Sequence, residues 1–68
     1  MAGSGDVFSQ RVKELRGDKS PYVLAALCNV HEKAIAEYES GKARPSFENL
    51  IKIADYFDVT IDYLVGRE

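Results

Sequence analysis

From Asp6 onward the apolar residues recur at helical spacing. Phe8, Val12 and Leu15 stand at i, i+4 and i+7, which places them on one face of a first helix. Gly17-Asp18 breaks that run. Ser20 then reads as an N-cap and Pro21 as the first helical residue. A serine oxygen can accept from an otherwise orphan N–H, and proline has no N–H to lose. The spacing predicts a second helix over about 21–28, ended by Asn29, a residue that tolerates the left-handed conformation. A third is expected over about 32–39, with Ile35 and Tyr38 turned inward, and Ser40-Gly41 terminates it. After a loop at 42–45, Ser46 caps a fourth helix whose Phe47, Leu50, Ile51, Ala54 and Phe57 make a broad apolar face. Asp58 closes it. Thr60 caps a short fifth helix, and Val59 with Leu64 fits a hydrophobic staple across that cap. No stretch alternates with the period of a β-strand, so the expected class is all-α with five helices.

Composition narrows this picture. Sixty-eight residues allow one domain, expected over 6–68, behind a small, flexible lead at 1–5 that reads as a disordered segment or cloning scar. A chain this short buries only about 60% of the surface its unfolded form exposes, so it must use its core economically. The single cysteine, Cys28, excludes an internal disulfide, and with only His31 beside it no zinc-type ligand set can be assembled. Cys28 reads as a small core residue and His31 as a surface residue at a helix start. No apolar run approaches the roughly 20 residues of a membrane span. Nucleophile–base pairs, paired carboxylates and glycine-rich phosphate loops are equally missing, so neither catalysis nor a cofactor is expected. These features predict a soluble, cytoplasmic protein that is not an enzyme. The net charge of −2 gives no support of its own to nucleic-acid binding, which in a near-neutral domain needs the basic residues gathered on one face.

The second helix, a tight turn around Asn29-Val30, and the third helix have the spacing of a helix-turn-helix. The most specific stretch is Tyr38-Glu39-Ser40-Gly41-Lys42, followed by Arg44-Pro45-Ser46-Phe47-Glu48-Asn49-Leu50. Ile53-Ala54-Asp55-Tyr56-Phe57-Asp58-Val59-Thr60 and Asp62-Tyr63-Leu64-Val65-Gly66 continue it, and Arg11-Val12-Lys13-Glu14-Leu15-Arg16 matches at the start. Through these residues the chain resembles the lambda-repressor-like (Cro-type, XRE-family) helix-turn-helix family from Val7 to Gly66. The resemblance implies a compact five-helix domain that binds double-stranded DNA in a transcriptional repressor or regulator, as a homodimer on two half-sites. It implies a structural ion pair, Arg16 with Glu39, tying the first helix to the recognition helix. It also implies base-facing positions at His31, Glu32, Lys33, Ala34 and Glu37, and phosphate contacts from Lys19, Ser20, Lys42 and Arg44.

The chain departs from the family pattern in three places. The turn before the second helix is about two residues shorter than the family's commonest form, and Pro21 stands where a DNA-touching glutamine is usual. Glu32 and Glu37 occupy recognition positions where Arg, Lys, Gln or Ser is common. Tyr22, Val23, Ala26 and Leu27 replace the polar residues relatives turn to water. With Ala34, these form the surface of an alternative reading, an interaction module on the same scaffold, natural or engineered, that binds a protein partner or a second copy.

Overall fold

The computed structural model describes residues 4–67. Five helices follow one another: α1 (Ser4–Arg16), α2 (Pro21–Cys28), α3 (Ala34–Ser40), α4 (Phe47–Phe57) and α5 (Ile61–Val65), with no strand among the described residues. α1 begins two residues before the apolar pattern places it, and residues 1–3 of the expected lead lie outside the described residues.

Local chemistry sets most of the boundaries. Ser20, Ser46 and Thr60 each sit in extended backbone and accept, through the side-chain oxygen, from the N–H of Tyr22, Asn49 and Tyr63. Each satisfies one of the donors that the first turn of a helix leaves unpaired. Asn29 and Asp58 take the left-handed conformation (φ 62° and 56°) that ends α2 and α4. Gly66 ends α5 at φ 80°, and a Cβ there would lie 2.7 Å from Val7 Cγ1, so both conformation and space require glycine.

Each helix contributes one large, fully buried aliphatic side chain to a single core: Val12, Leu24, Ile35, Ile53 and Leu64. Phe8, Ala25, Cys28, Ala34, Tyr38 and Ala54 complete it. Phe8 meets Tyr38 edge-on at 5.4 Å, an arrangement that suits the ring quadrupoles. Tyr38 is nevertheless satisfied, its hydroxyl accepting from Asn49 Nδ2 at 2.9 Å. α1 lies against α3 and α5, α2 against α3 and α4, and α4 against α5. Arg11 fastens α1 to α5 by donating to the Tyr63 carbonyl at 2.6 Å, its guanidinium lying 4.2 Å from the Tyr63 ring centre.

α4 corrects one expectation. Its buried stripe is Leu50, Ile53, Ala54 and Phe57, at i, i+3, i+4 and i+7, while Phe47 is 69% and Ile51 39% exposed. Those two lie at the edge of the stripe, and Phe47 occupies the first turn of the helix.

Candidate nucleic-acid interface

The unit that joins α2 to α3 is held almost entirely by backbone bonds. Asn29 and Val30 N–H groups return to the carbonyls of Ala26 and Ala25 at 3.2 and 3.0 Å, closing α2. Val30, partly buried, packs against the core. The next three residues make a turn of their own: Lys33 N–H donates to His31 Nδ1 at 3.2 Å, and Ala34 N–H to the His31 carbonyl at 2.9 Å. Lys33 precedes α3 with no side-chain cap. The third helix therefore opens at Ala34, two residues later than its composition suggested.

This placement sorts the five expected base-facing residues. His31, Glu32 and Lys33 are exposed on the turn rather than on the helix. Glu37 lies half-buried on the flank of α3. Ala34 leaves the set, because it is only 6% exposed and belongs to the core cluster. It stands one turn before Tyr38, so the fold that buries Ile35 and Tyr38 buries Ala34 as well. The outward ridge of α3 is instead Lys33, Ala36, Glu37 and Ser40, at i, i+3, i+4 and i+7. Ala36 and Ser40 were missed by sequence reasoning.

The opposite flank of α3 is tied to the body. Arg16 donates from Nε to Glu39 Oε2 at 2.6 Å and from Nη2 to Oε1 at 3.0 Å, a two-pronged pair with side chains only 18% and 11% exposed. A third donor, Nη1, reaches the Lys19 carbonyl at 2.7 Å, so the same guanidinium also braces the short turn into α2. The hydrogen bond to Glu39 raises the Arg16 pKa above its ordinary value, with the carboxylate's charge acting in the same direction and burial opposing both. Ser9 adds a hydroxyl bond to the Tyr38 carbonyl. α3 and α1 are thus joined by the Arg16–Glu39 pair and the Ser9 bond.

The phosphate-facing set flanks this unit in the chain. Lys19 and Ser20 stand exposed at the start of α2. Ser20 Oγ accepts from Tyr22 N–H at 3.1 Å, which leaves its hydroxyl hydrogen able to donate outward. At the far end, Gly41 is left-handed (φ 79°), and the N–H groups of Lys42 and Ala43 turn back onto the Glu37 carbonyl at 2.9 and 3.3 Å. That turn places Lys42 and Arg44, both exposed, directly after the recognition helix.

Charge is segregated along the chain. Residues 16–44 carry five bases and four acids, a net +1, and one of those acids, Glu39, is neutralised by Arg16. Residues 45–66 carry one base and four acids, a net −3, and all four of those acids are exposed. The negative total therefore comes chiefly from the helices beyond the α2–α3 unit.

Other chemistry is sparse. Cys28 is buried, and burial pushes its thiol up from the ordinary value, away from thiolate reactivity. No group of three or more potential metal ligands occurs among the described residues, and no described helix is long and apolar enough to cross a membrane. Tyr22, Val23, Ala26 and Leu27 are exposed on the outer side of α2, as the alternative interface requires, but the burial of Ala34 removes that residue from it.

The geometry agrees with comparison to known proteins. The helix-turn-helix family pattern matches residues 12–64, most of the chain, and the protein belongs to that family. It is 47% identical over 60 residues to the HTH-type transcriptional regulator AnsR of Bacillus subtilis, a match covering 85% of this chain and 52% of AnsR. It is 38% identical over 63 residues to the HTH-type transcriptional activator BcrR of Enterococcus faecalis, covering 90% of this chain and 31% of BcrR. The cryptic phage CTXphi transcriptional repressor RstR of Vibrio cholerae is 55% identical over 31 residues, covering 46% of this chain and 28% of RstR. The chain thus spans about half the length of AnsR and less of the other two. No solved structure matches it significantly.

Proposed function

We infer that this chain is the DNA-binding unit of a cytoplasmic transcription regulator, acting without catalysis, with α3 seated in the major groove. The observation that carries this reading is the outward ridge of α3. Lys33 just before α3 and Ser40 at its end are exposed, Glu37 between them is half-buried, the helix is tied to α1 through Glu39, and basic residues lie at both chain ends of the α2–α3 unit. Lys33 approaches base edges, while Lys19, Ser20, Lys42 and Arg44 set the register on the phosphates. A domain 29 Å in its longest extent covers a single major-groove segment. Dimerisation on half-sites one helical turn (about 34–36 Å) apart is therefore part of the proposal. The similarity to three transcriptional regulators favours this reading over a protein-interaction module built on the exposed face of α2.

Binding to a labelled random-sequence duplex, followed as salt rises from about 50 to 200 mM, tests it. Affinity should fall steeply with salt. Replacing Lys42 and Arg44 by alanine together should flatten the log–log slope by roughly 1.8, about 0.9 for each lost phosphate contact. An unchanged slope removes those two residues from the interface. Silence at 50 mM salt overturns the DNA reading itself.

A further inference from the structure

We propose that His31 is a positioning residue of the DNA face: its imidazole holds the turn that sets Lys33 at the start of α3, without itself touching a base. This rests on the DNA-binding reading above and goes beyond it to how the reading surface is built.

α2, α4 and α5 each open beneath a Ser or Thr hydroxyl that accepts a first-turn N–H. α3 has no such arrangement, since Lys33 stands at its N-cap without a side-chain bond. Its start is set instead from two residues upstream. The Ala34 N–H donates to the His31 carbonyl at 2.9 Å, and Lys33 lies at φ −96° and ψ 0°. A bond from the fourth residue to the first, with the third at about −90° and 0°, defines a type I turn. The first position of such a turn favours Asp, Asn or Ser, and an Asx side-chain oxygen there accepts the N–H two residues on. His31 occupies that position, and its Nδ1 accepts from the Lys33 N–H at 3.2 Å. The ring thus takes the place of an Asx side chain, and one residue holds both N–H groups at the entry to α3.

Nδ1 accepts only while it carries no proton, so the neutral ring keeps its hydrogen on Nε2. The bond ties the Lys33 peptide, and Lys33 is the residue that approaches base edges. A lysine stem is flexible, and its direction is taken from the backbone that carries it. With the peptide tied, the ammonium is delivered to a narrow part of the groove. With the peptide loose, the same charge spreads over neighbouring bases and phosphates. Order present before binding does not have to be created during it, so the turn favours the sequence that Lys33 reads over arbitrary duplex.

Sequences selected from a random duplex library by the full native chain, at about 50 mM salt, supply the probe. The affinity for selected over random duplex is then compared among the native chain, His31→Ala, His31→Asn, Lys33→Ala and the double variant His31→Ala with Lys33→Ala, alongside thermal melts. His31→Ala should lower that ratio about 2- to 10-fold, the contribution of one hydrogen bond. His31→Asn, whose side-chain oxygen can accept the Lys33 N–H, should restore it with the same preferred base at every position. Once Lys33 is alanine, the change at His31 should have no further effect on the ratio, because His31 acts through Lys33. A residue serving stability alone would move the melts and leave the ratio unchanged, which overturns the positioning role. So does a His31→Asn as poor as His31→Ala, or losses at His31 and Lys33 that add, since the ring then contacts DNA itself; DNA binding stands in each case. If the native chain retains no duplex at all, the DNA reading falls and the positioning role with it.

Discussion

Glu37 and Glu39 sit two positions apart on a helix of seven residues and face in different directions. Glu39 turns toward α1, where Arg16 grips both of its oxygens and the pair is largely shielded from water. Glu37 turns away, its carboxylate unpartnered, beside the exposed residues of the turn. Composition treats the two alike, as acids in an acidic helix. Structure divides them: one is paired inside the protein and the other, half-buried, has no ion pair. The same division runs around the whole of α3, with Ala34, Ile35 and Tyr38 on the buried side and Lys33, Ala36 and Ser40 on the open one.

The largest expected effect lies on the buried side. Ile35→Ala removes a fully buried side chain and should cost about 2–5 kcal/mol in chemical denaturation, enough to unfold much of a domain this small. A loss below about 1 kcal/mol would mean that the inward face of α3 is misplaced. Next comes the pair of glutamates. Glu39→Gln should lower the melting temperature clearly, because the amide removes the charge and leaves one of the two Arg16 prongs without an acceptor. Glu37→Gln should cost no more than the helix-dipole term, about 0.3–1 kcal/mol. Equal melting temperatures for the two variants would erase the distinction between bound and free acid.

How much of this was legible beforehand depended on range. Ser20, Ser46 and Thr60 announced their helix starts, and Asn29 and Asp58 their ends, because capping is settled within three or four residues. The start of α3 was not legible. His31, Glu32 and Lys33 look like an ordinary first turn, and only the observed bonds from Lys33 N–H and Ala34 N–H to His31 show that they form a separate one. Periodicity put Phe47 and Ile51 on the apolar face of α4, yet both are exposed, since it reports which residues share a face and not how wide a face the neighbouring helices cover.

The smallest expected effect concerns Cys28. Burial raises its thiol, so the unfolded chain ionises first as pH climbs. Its contribution to stability is complete below the ordinary thiol range (about 8.5) and is lost as pH rises through it toward the folded value. Urea midpoints measured between about pH 7 and pH 9.5 should decline slightly more in the native chain than in Cys28→Ala. A steeper decline in Cys28→Ala would contradict a buried, neutral thiol.

Caps, left-handed ends and a period of 3.6 are properties of neighbouring residues, so the number and order of the helices and the class of fold could be read from the chain alone. Family resemblance drew Arg16 and Glu39 together across 23 positions. Which alanine is core and which is surface, at 34 and 36, and which glutamate is satisfied, at 37 and 39, only the tertiary structure decided. Those choices depend on where α1 and α2 lie relative to α3, and no residue within one turn of α3 carries that information.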